Sequence, residues 1–212
     1  MNESTNLSKL ITYETYLKEI FTIIRPKRTI NTLADDITKI GKRVAEKCID
    51  SEDNEITRQI EYDKKYNKIT GGLFECLFII FNHIFQNDPE VGLKFCSATT
   101  SNNDFGVDAT GVNANGIPCA VQIKFRSNVK DLITYEDICK TYASGRIDFN
   151  IDTDKDNSIV VFTTGTVNYI ATNRFQKRLK VIDRRLIGTK INNNDSFWEE
   201  AWRLVNNLEE MK

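Results

Sequence analysis

Histidine is almost missing from this 212-residue chain, with His83 the only one. Chemistries that need several imidazoles, such as paired-histidine phosphotransfer or a multi-histidine zinc site, are thereby excluded. Cysteine offers little more. Cys48, Cys76, Cys96, Cys119 and Cys139 are odd in number, scattered, and never spaced C-x-x-C. That pattern suits neither a disulfide framework nor a zinc site and fits a reducing compartment. There is no dominant charge either: the net charge is −1, so polyanion binding has to come from a local patch. The longest apolar run, LFECLFIIF, is too short to span a bilayer and carries a glutamate. The polar start MNESTNLSKL lacks the plan of a signal peptide. An intracellular protein, cytoplasmic or nucleoid-associated (or nuclear), neither secreted nor membrane-bound, is expected.

What is present divides into two kinds of pattern. Residues 1–70 read as an N-terminal helical segment. Tyr13, Tyr16, Leu17, Ile20, Phe21 and Ile24 fall near helical spacing until Pro26 breaks the run. Leu33, Ile37, Ile40, Val44 and Cys48 form a second helix, with Thr32 as its expected N-cap and Asp35 and Asp36 in its first turn. The Gly71-Gly72 pair marks the expected boundary. Beyond it, residues 71–192 alternate helices with strands, which predicts an α/β domain around a mixed central sheet. GGLFECLFIIFNHIF is a helix apolar almost all round, hence buried, and His83 on it is read as structural. DFGVDATGVNANGIPCAVQIKF reads as strand, turn and strand. TYEDICKTYASG is a helix ending at Gly145, SIVVFTTG a buried strand, NRFQKRL a basic helix, and KVIDRRLI a strand entering a turn. Residues 193–212 form a C-terminal amphipathic helix packed on this domain.

The chemistry concentrates in the hairpin. Asp108 lies between Gly106 and Gly111, where a carboxylate suits magnesium, a hard cation that takes one or two acids plus water and substrate phosphate. Period-two alternation puts Ala120, Gln122 and Lys124 on one face of the next strand. Gln122 offers an amide oxygen and Ile123 a backbone carbonyl to a metal. Lys124 beside that cation can orient or deprotonate an attacking water, or neutralise charge building on a phosphorane. Glu75 sits in an apolar helix, where a buried carboxylate is costly unless paired or metal-bound. Each residue also has an ordinary reading: a turn aspartate, an amphipathic strand, a first-turn glutamate.

In order, these elements resemble the PD-(D/E)XK nuclease superfamily, and within it the Mrr-like restriction endonucleases that carry Q-x-K. The resemblance rests on a helix with Glu75, the D-x-G-x-D of Asp104 to Asp108, and Gln122-x-Lys124. It continues through TYEDICKTYASG, IVVFTTGTVN, ATNRFQKRL and LKVIDRRLI, and covers residues 71 to 190. It implies a restriction-endonuclease-like fold and hydrolysis of DNA phosphodiesters with Mg²⁺, or Mn²⁺ in its place. Asp108 matches the metal-binding aspartate, Gln122 the second ligand, Lys124 the catalytic lysine and Glu75 the glutamate of the first helix, with Asp104 in support.

Arg174, Lys177, Arg178, Lys180, Arg184 and Arg185 form the densest basic segment. Of these Arg174, Lys177 and Arg178, with Arg126, Thr163 and Thr164, are expected to touch DNA phosphates. The basic RPKR at 25–28 is a second, smaller cluster. Asp152, Asp154 and Asp156 start like a calcium loop but lack its glycine and glutamate, and read as a surface loop. Two-strand cleavage favours a homodimer, and a helicase or another DNA-processing protein is a further expected partner. The competing class is a catalytically silent DNA-binding or assembly module on the same fold; a third is an RNA-directed nuclease.

Overall fold

Apolar residues at spacings of three and four carry the first part of the chain into helices. The computed structural model describes residues 3–22, 28–47, 55–99, 106–128 and 130–208. Pro26, Cys48 and Asp104 lie outside the described residues. Four helices come first: α1 (Glu3–Thr12), α2 (Glu14–Thr22), α3 (Ile30–Glu46) and α4 (Glu55–Ile84). The cap of α3 is Thr29, three residues earlier than expected. Thr29 Oγ1 accepts from the Thr32 N–H and Thr32 Oγ1 from the Thr29 N–H, a reciprocal capping box. Asp35 and Asp36 consequently fall beyond the first turn.

Gly71 and Gly72 do not mark a boundary. α4 runs unbroken through both for 30 residues, about 45 Å. Gly72 is there because the Tyr13 ring of the α1–α2 corner occupies the space a Cβ would take, whereas a Cβ on Gly71 would meet nothing. Leu17, Phe21, Leu33 and Ile37 from the N-terminal helices share one core with Phe74, Phe78 and Phe81 of α4. A division at 70/71 therefore cuts both a continuous helix and a continuous core. His83, near the end of α4, is exposed; the buried polar group of that turn is Asn82, whose amide bonds both the carbonyl and the N–H of Leu93.

The sheet has five strands in the order β1 (Lys94–Ala98), β2 (Ala109–Val112), β3 (Pro118–Lys124), β5 (Ile159–Thr163) and β7 (Leu179–Ile182). β1, β2 and β3 are antiparallel neighbours, and β3, β5 and β7 are parallel. This is a mixed sheet, as the alternation of patterns predicts. The β2–β3 turn is tied by Asn113, whose Oδ1 accepts from the N–H groups of Asn115 and Ile117, and Gly116 takes a positive φ of 79°. A second sheet is only the two-residue parallel pair of β4 (Leu132–Ile133) and β6 (Thr166–Val167). The edge strand β1, not anticipated from the sequence, is covered by α1: Asn6 donates to the Cys96 carbonyl and accepts from the Ala98 N–H, both at 2.8 Å.

Helices cover both faces of the sheet. On one, Val121, Ile123, Val160 and Phe162 meet α4, with Phe162 against the rings of Phe74, Phe78 and Phe81 at 5.1 to 5.3 Å. On the other lies α5 (Tyr135–Ile147), so close to β3 that a Cβ on Gly145 would come 2.8 Å from that of Ala120. Gly145 thus serves helix–sheet approach, and α5 runs two residues past it rather than stopping there. α6 (Tyr169–Phe175) follows β6. After β7 the chain makes a helix where a turn was expected: Asp183 caps α7 (Arg184–Ile191) by accepting from the Leu186 N–H. The amphipathic α8 (Asp195–Asn206) then packs Phe197 and Trp198 onto α2 and α4. Among the described residues no helix is long and apolar enough to cross a membrane, and Cys76, Cys96, Cys119 and Cys139 are free thiols.

Candidate active site

The pairing of β2 with β3 begins at Ala109 and Val121, and Asp108 stands just before it. The Asp108 N–H donates to the Val121 carbonyl at 2.8 Å. Its carboxylate then takes over from the departing backbone: Oδ2 accepts from the Ile123 N–H at 2.6 Å. A charge-assisted bond of this length is a strong one. It fixes Asp108 on the peptide that joins Gln122 to Ile123. In a strand the N–H and C=O of one residue point the same way, so the Ile123 carbonyl also faces the Asp108 edge.

Gln122 is 1% exposed, on the face of β3 that α5 covers, and its Oε1 is buried without a hydrogen-bond partner. An acceptor left in that state costs about 1–3 kcal/mol. Lys124, at the carboxyl end of β3, is half-buried and its carbonyl accepts from Thr163 Oγ1 at 2.8 Å. Its charge reaches Asp137 in the first turn of α5. Burial pushes the Asp137 carboxyl up. The bonds from Thr134 and the charges of Lys124 and Arg126 more than offset this and hold it below the usual carboxylate range.

Glu75 reaches this region from the α4 face, opposite Gln122. It forms an ion pair with Lys9 of α1, and the two side chains are 22% and 24% exposed. Burial pushes the Lys9 ammonium down, while the Asp108 carboxylate pulls the other way. Lys9 thus lies in the field of Asp108 and links it to Glu75. No local pattern marks Lys9, because its partners come from distant parts of the chain.

The expected phosphate contacts fare unevenly. Thr163 and Thr164 are buried, and their hydroxyls are taken up inside the fold. Thr163 Oγ1 donates to the Lys124 carbonyl and accepts from the Gly165 N–H. Thr164 Oγ1 accepts from the Arg126 N–H at 2.7 Å and donates to its carbonyl at 2.8 Å. They extend the β3–β5 pairing and position the backbone of Arg126 instead of meeting solvent. Arg174 is exposed, with its guanidinium 5.3 Å from the Tyr135 ring centre. Lys177 and Arg178 stand at the wrong end of the sheet. The Lys177 carbonyl accepts from the Asn157 N–H just before β5, and Leu179 pairs with Ile159, whereas Lys124 pairs with Thr163. Four strand residues, about 13 Å, separate the two ends. Arg178 is also 3.4 Å from Asp154, in the acidic loop that the sequence placed at the surface.

Among the described residues no three His, Cys, Asp or Glu side chains gather at metal-binding spacing. A cation here would have to draw on Asp108, the Gln122 amide and the Ile123 carbonyl. That set of hard oxygens fits magnesium, and the partnerless Gln122 Oε1 is the vacancy in hydrogen bonding that such an ion would fill. The chain matches no protein-family model, no curated protein and no solved structure.

Proposed function

We propose that this chain is a metal-dependent DNA endonuclease with a restriction-endonuclease-like fold, as its resemblance to Mrr-like enzymes implies. The reading is supported above all by one observation: a buried amide oxygen without a partner, on the residue whose peptide is gripped by the Asp108 carboxylate. No protein group among the described residues satisfies that oxygen, and a bound cation would. Asp108, Gln122 and the Ile123 carbonyl would hold Mg²⁺, or Mn²⁺ in its place. An ion so held supplies Lewis-acid polarisation of the phosphate and a more acidic bound water. Lys124, two residues along the same strand face, adds positive charge where the phosphorane becomes negative and orients the attacking water. Lys9, paired with Glu75 of α4, adds its positive field at Asp108. Duplex cutting by such a site, which hydrolyses one strand at a time, calls for a homodimer.

A catalytically silent module is the second reading, and the closure of α5 over Gln122 favours it. Supercoiled plasmid incubated with Mg²⁺ or Mn²⁺ separates the two. The enzyme reading expects nicked and linear products, with Asp108→Ala and Lys124→Ala slower by about 10²-fold or more while duplex binding persists. A wild type that cuts under neither ion, or variants that cut as well as it does, rejects this reading. Parallel digests of RNA and single-stranded DNA define the substrate class.

A further inference from the structure

A cleft of about 660 Å³ opens at the carboxyl ends of β5 and β7, the end of a parallel sheet where open α/β folds place their ligands. Its walls include Asn31 from the first turn of α3, the Thr164–Thr166 turn after β5, and Arg184 and Arg185 at the start of α7. Arg184 is held side-on: its Nε and Nη2 donate to Asn31 Oδ1 at 3.0 and 2.8 Å. Its Nη1 is buried and has no partner. Arg185 is exposed and makes neither an ion pair nor a side-chain hydrogen bond among the described residues; it lines both this cleft and an adjoining one of about 450 Å³.

Acids near these arginines are engaged elsewhere. Asp183 caps α7, and Glu90 and Asp88 both bond Lys190 at 2.7 Å. Asp35 acts on Arg184 through its field and forms no ion pair with it. Two guanidinium groups without carboxylate partners therefore border one polar cleft, and the guanidinium fork matches the geometry of phosphate.

We propose that this cleft binds a phosphate group through Arg184 and Arg185. Its assignment to a nucleic-acid strand rests on the nuclease reading. β7, which leads into Arg184 and Arg185, lies two strand spacings, about 10 Å, from the strand β3 that carries Lys124. That is about three nucleotides along a strand rising ~3.4 Å per residue. The cleft anchors the strand whose scissile phosphate lies at Asp108 and Lys124, a role the sequence pattern places on Arg126, Thr163, Thr164, Arg174, Lys177 and Arg178.

The test is fluorescence anisotropy of a labelled 20-base-pair duplex in EDTA, where nothing is cut, across a salt series. Arg185→Ala is expected to bind roughly tenfold more weakly, with a salt slope shallower by about 0.9 and an unchanged melting temperature. Arg184→Lys, which keeps the charge but cannot bridge Asn31 and the cleft, weakens binding while keeping the slope. Equal affinity and slope for Arg185→Ala and wild type overturn the proposal. Thermal shift with inorganic phosphate provides a second arm. Stabilisation of wild type but not of Arg185→Ala, without duplex binding, upholds the phosphate site and overturns its assignment to nucleic acid. No response to either phosphate or duplex overturns the whole.

Discussion

Replacing Gln122 with methionine should make the protein more stable and less able to use metal. Gln122 is 1% exposed and its Oε1 lacks a partner, a state that costs the fold about 1–3 kcal/mol. Methionine has nearly the same length and volume, and such swaps in a packed site lose less than about 1.5 kcal/mol. The net expectation is a gain of about 1 kcal/mol, worth about 2–4 °C in melting temperature for a chain of this size. Urea denaturation in EDTA measures it, with the midpoint rising and the slope unchanged. Magnesium then reverses the order. Wild type gains stability with free ion, by about 2.7 kcal/mol at a hundred times the dissociation constant, and Gln122→Met gains far less. If Gln122→Met instead loses more than about 1 kcal/mol in EDTA, the amide is satisfied in the native state and the reasoning from its burial fails.

Two further outcomes test the fold around the site. Gly71→Ala should stabilise α4 by up to about 1 kcal/mol, because nothing lies where its Cβ would go, whereas Gly72→Ala must displace the Tyr13 ring and should destabilise; thermal melts of the two variants give opposite shifts if the helix is continuous. Asp137 closes the capping box of α5 with Thr134, so Asp137→Asn should cost about 0.5–2 kcal/mol at neutral pH. Because the folded Asp137 carboxyl is held below its usual 3.8, its contribution is fully present above that pH and is lost as pH falls through the lower folded value. Urea midpoints between pH 2 and 7 should therefore converge for wild type and Asp137→Asn at the acid end.

The sheet strands that carry chemistry were legible because they obey period two. Ala120, Gln122 and Lys124 share a face in the structure as they do in the pattern, and VVF in β5 is buried as its β-branched run requires. Helix punctuation was less legible. Gly71, Gly72 and Gly145 read as breaks, yet Gly72 and Gly145 exist for close contacts with Tyr13 and Ala120, which no local window contains. Thr29 and Thr32 are both competent caps, and their reciprocal bonding decides between them. In the site, Asp108 stood out through its glycine-flanked turn, whereas Lys9 had no signal because it meets Glu75 only once α1 packs against α4. Thr163 and Thr164 looked like surface hydroxyls at a strand end. The chain continues β3 past Lys124, however, and uses both hydroxyls to hold that extension.

The proposed nuclease site requires Asp108 and Gln122 to share a divalent ion. Crystals soaked in Mn²⁺ and measured for anomalous scattering test it most directly. A peak is expected within about 2.0–2.3 Å of an Asp108 carboxylate oxygen and Gln122 Oε1, absent in Gln122→Met. A Gln122 amide that engages only protein atoms in the Mn²⁺-soaked crystal, with manganese bound elsewhere or not at all, would contradict it.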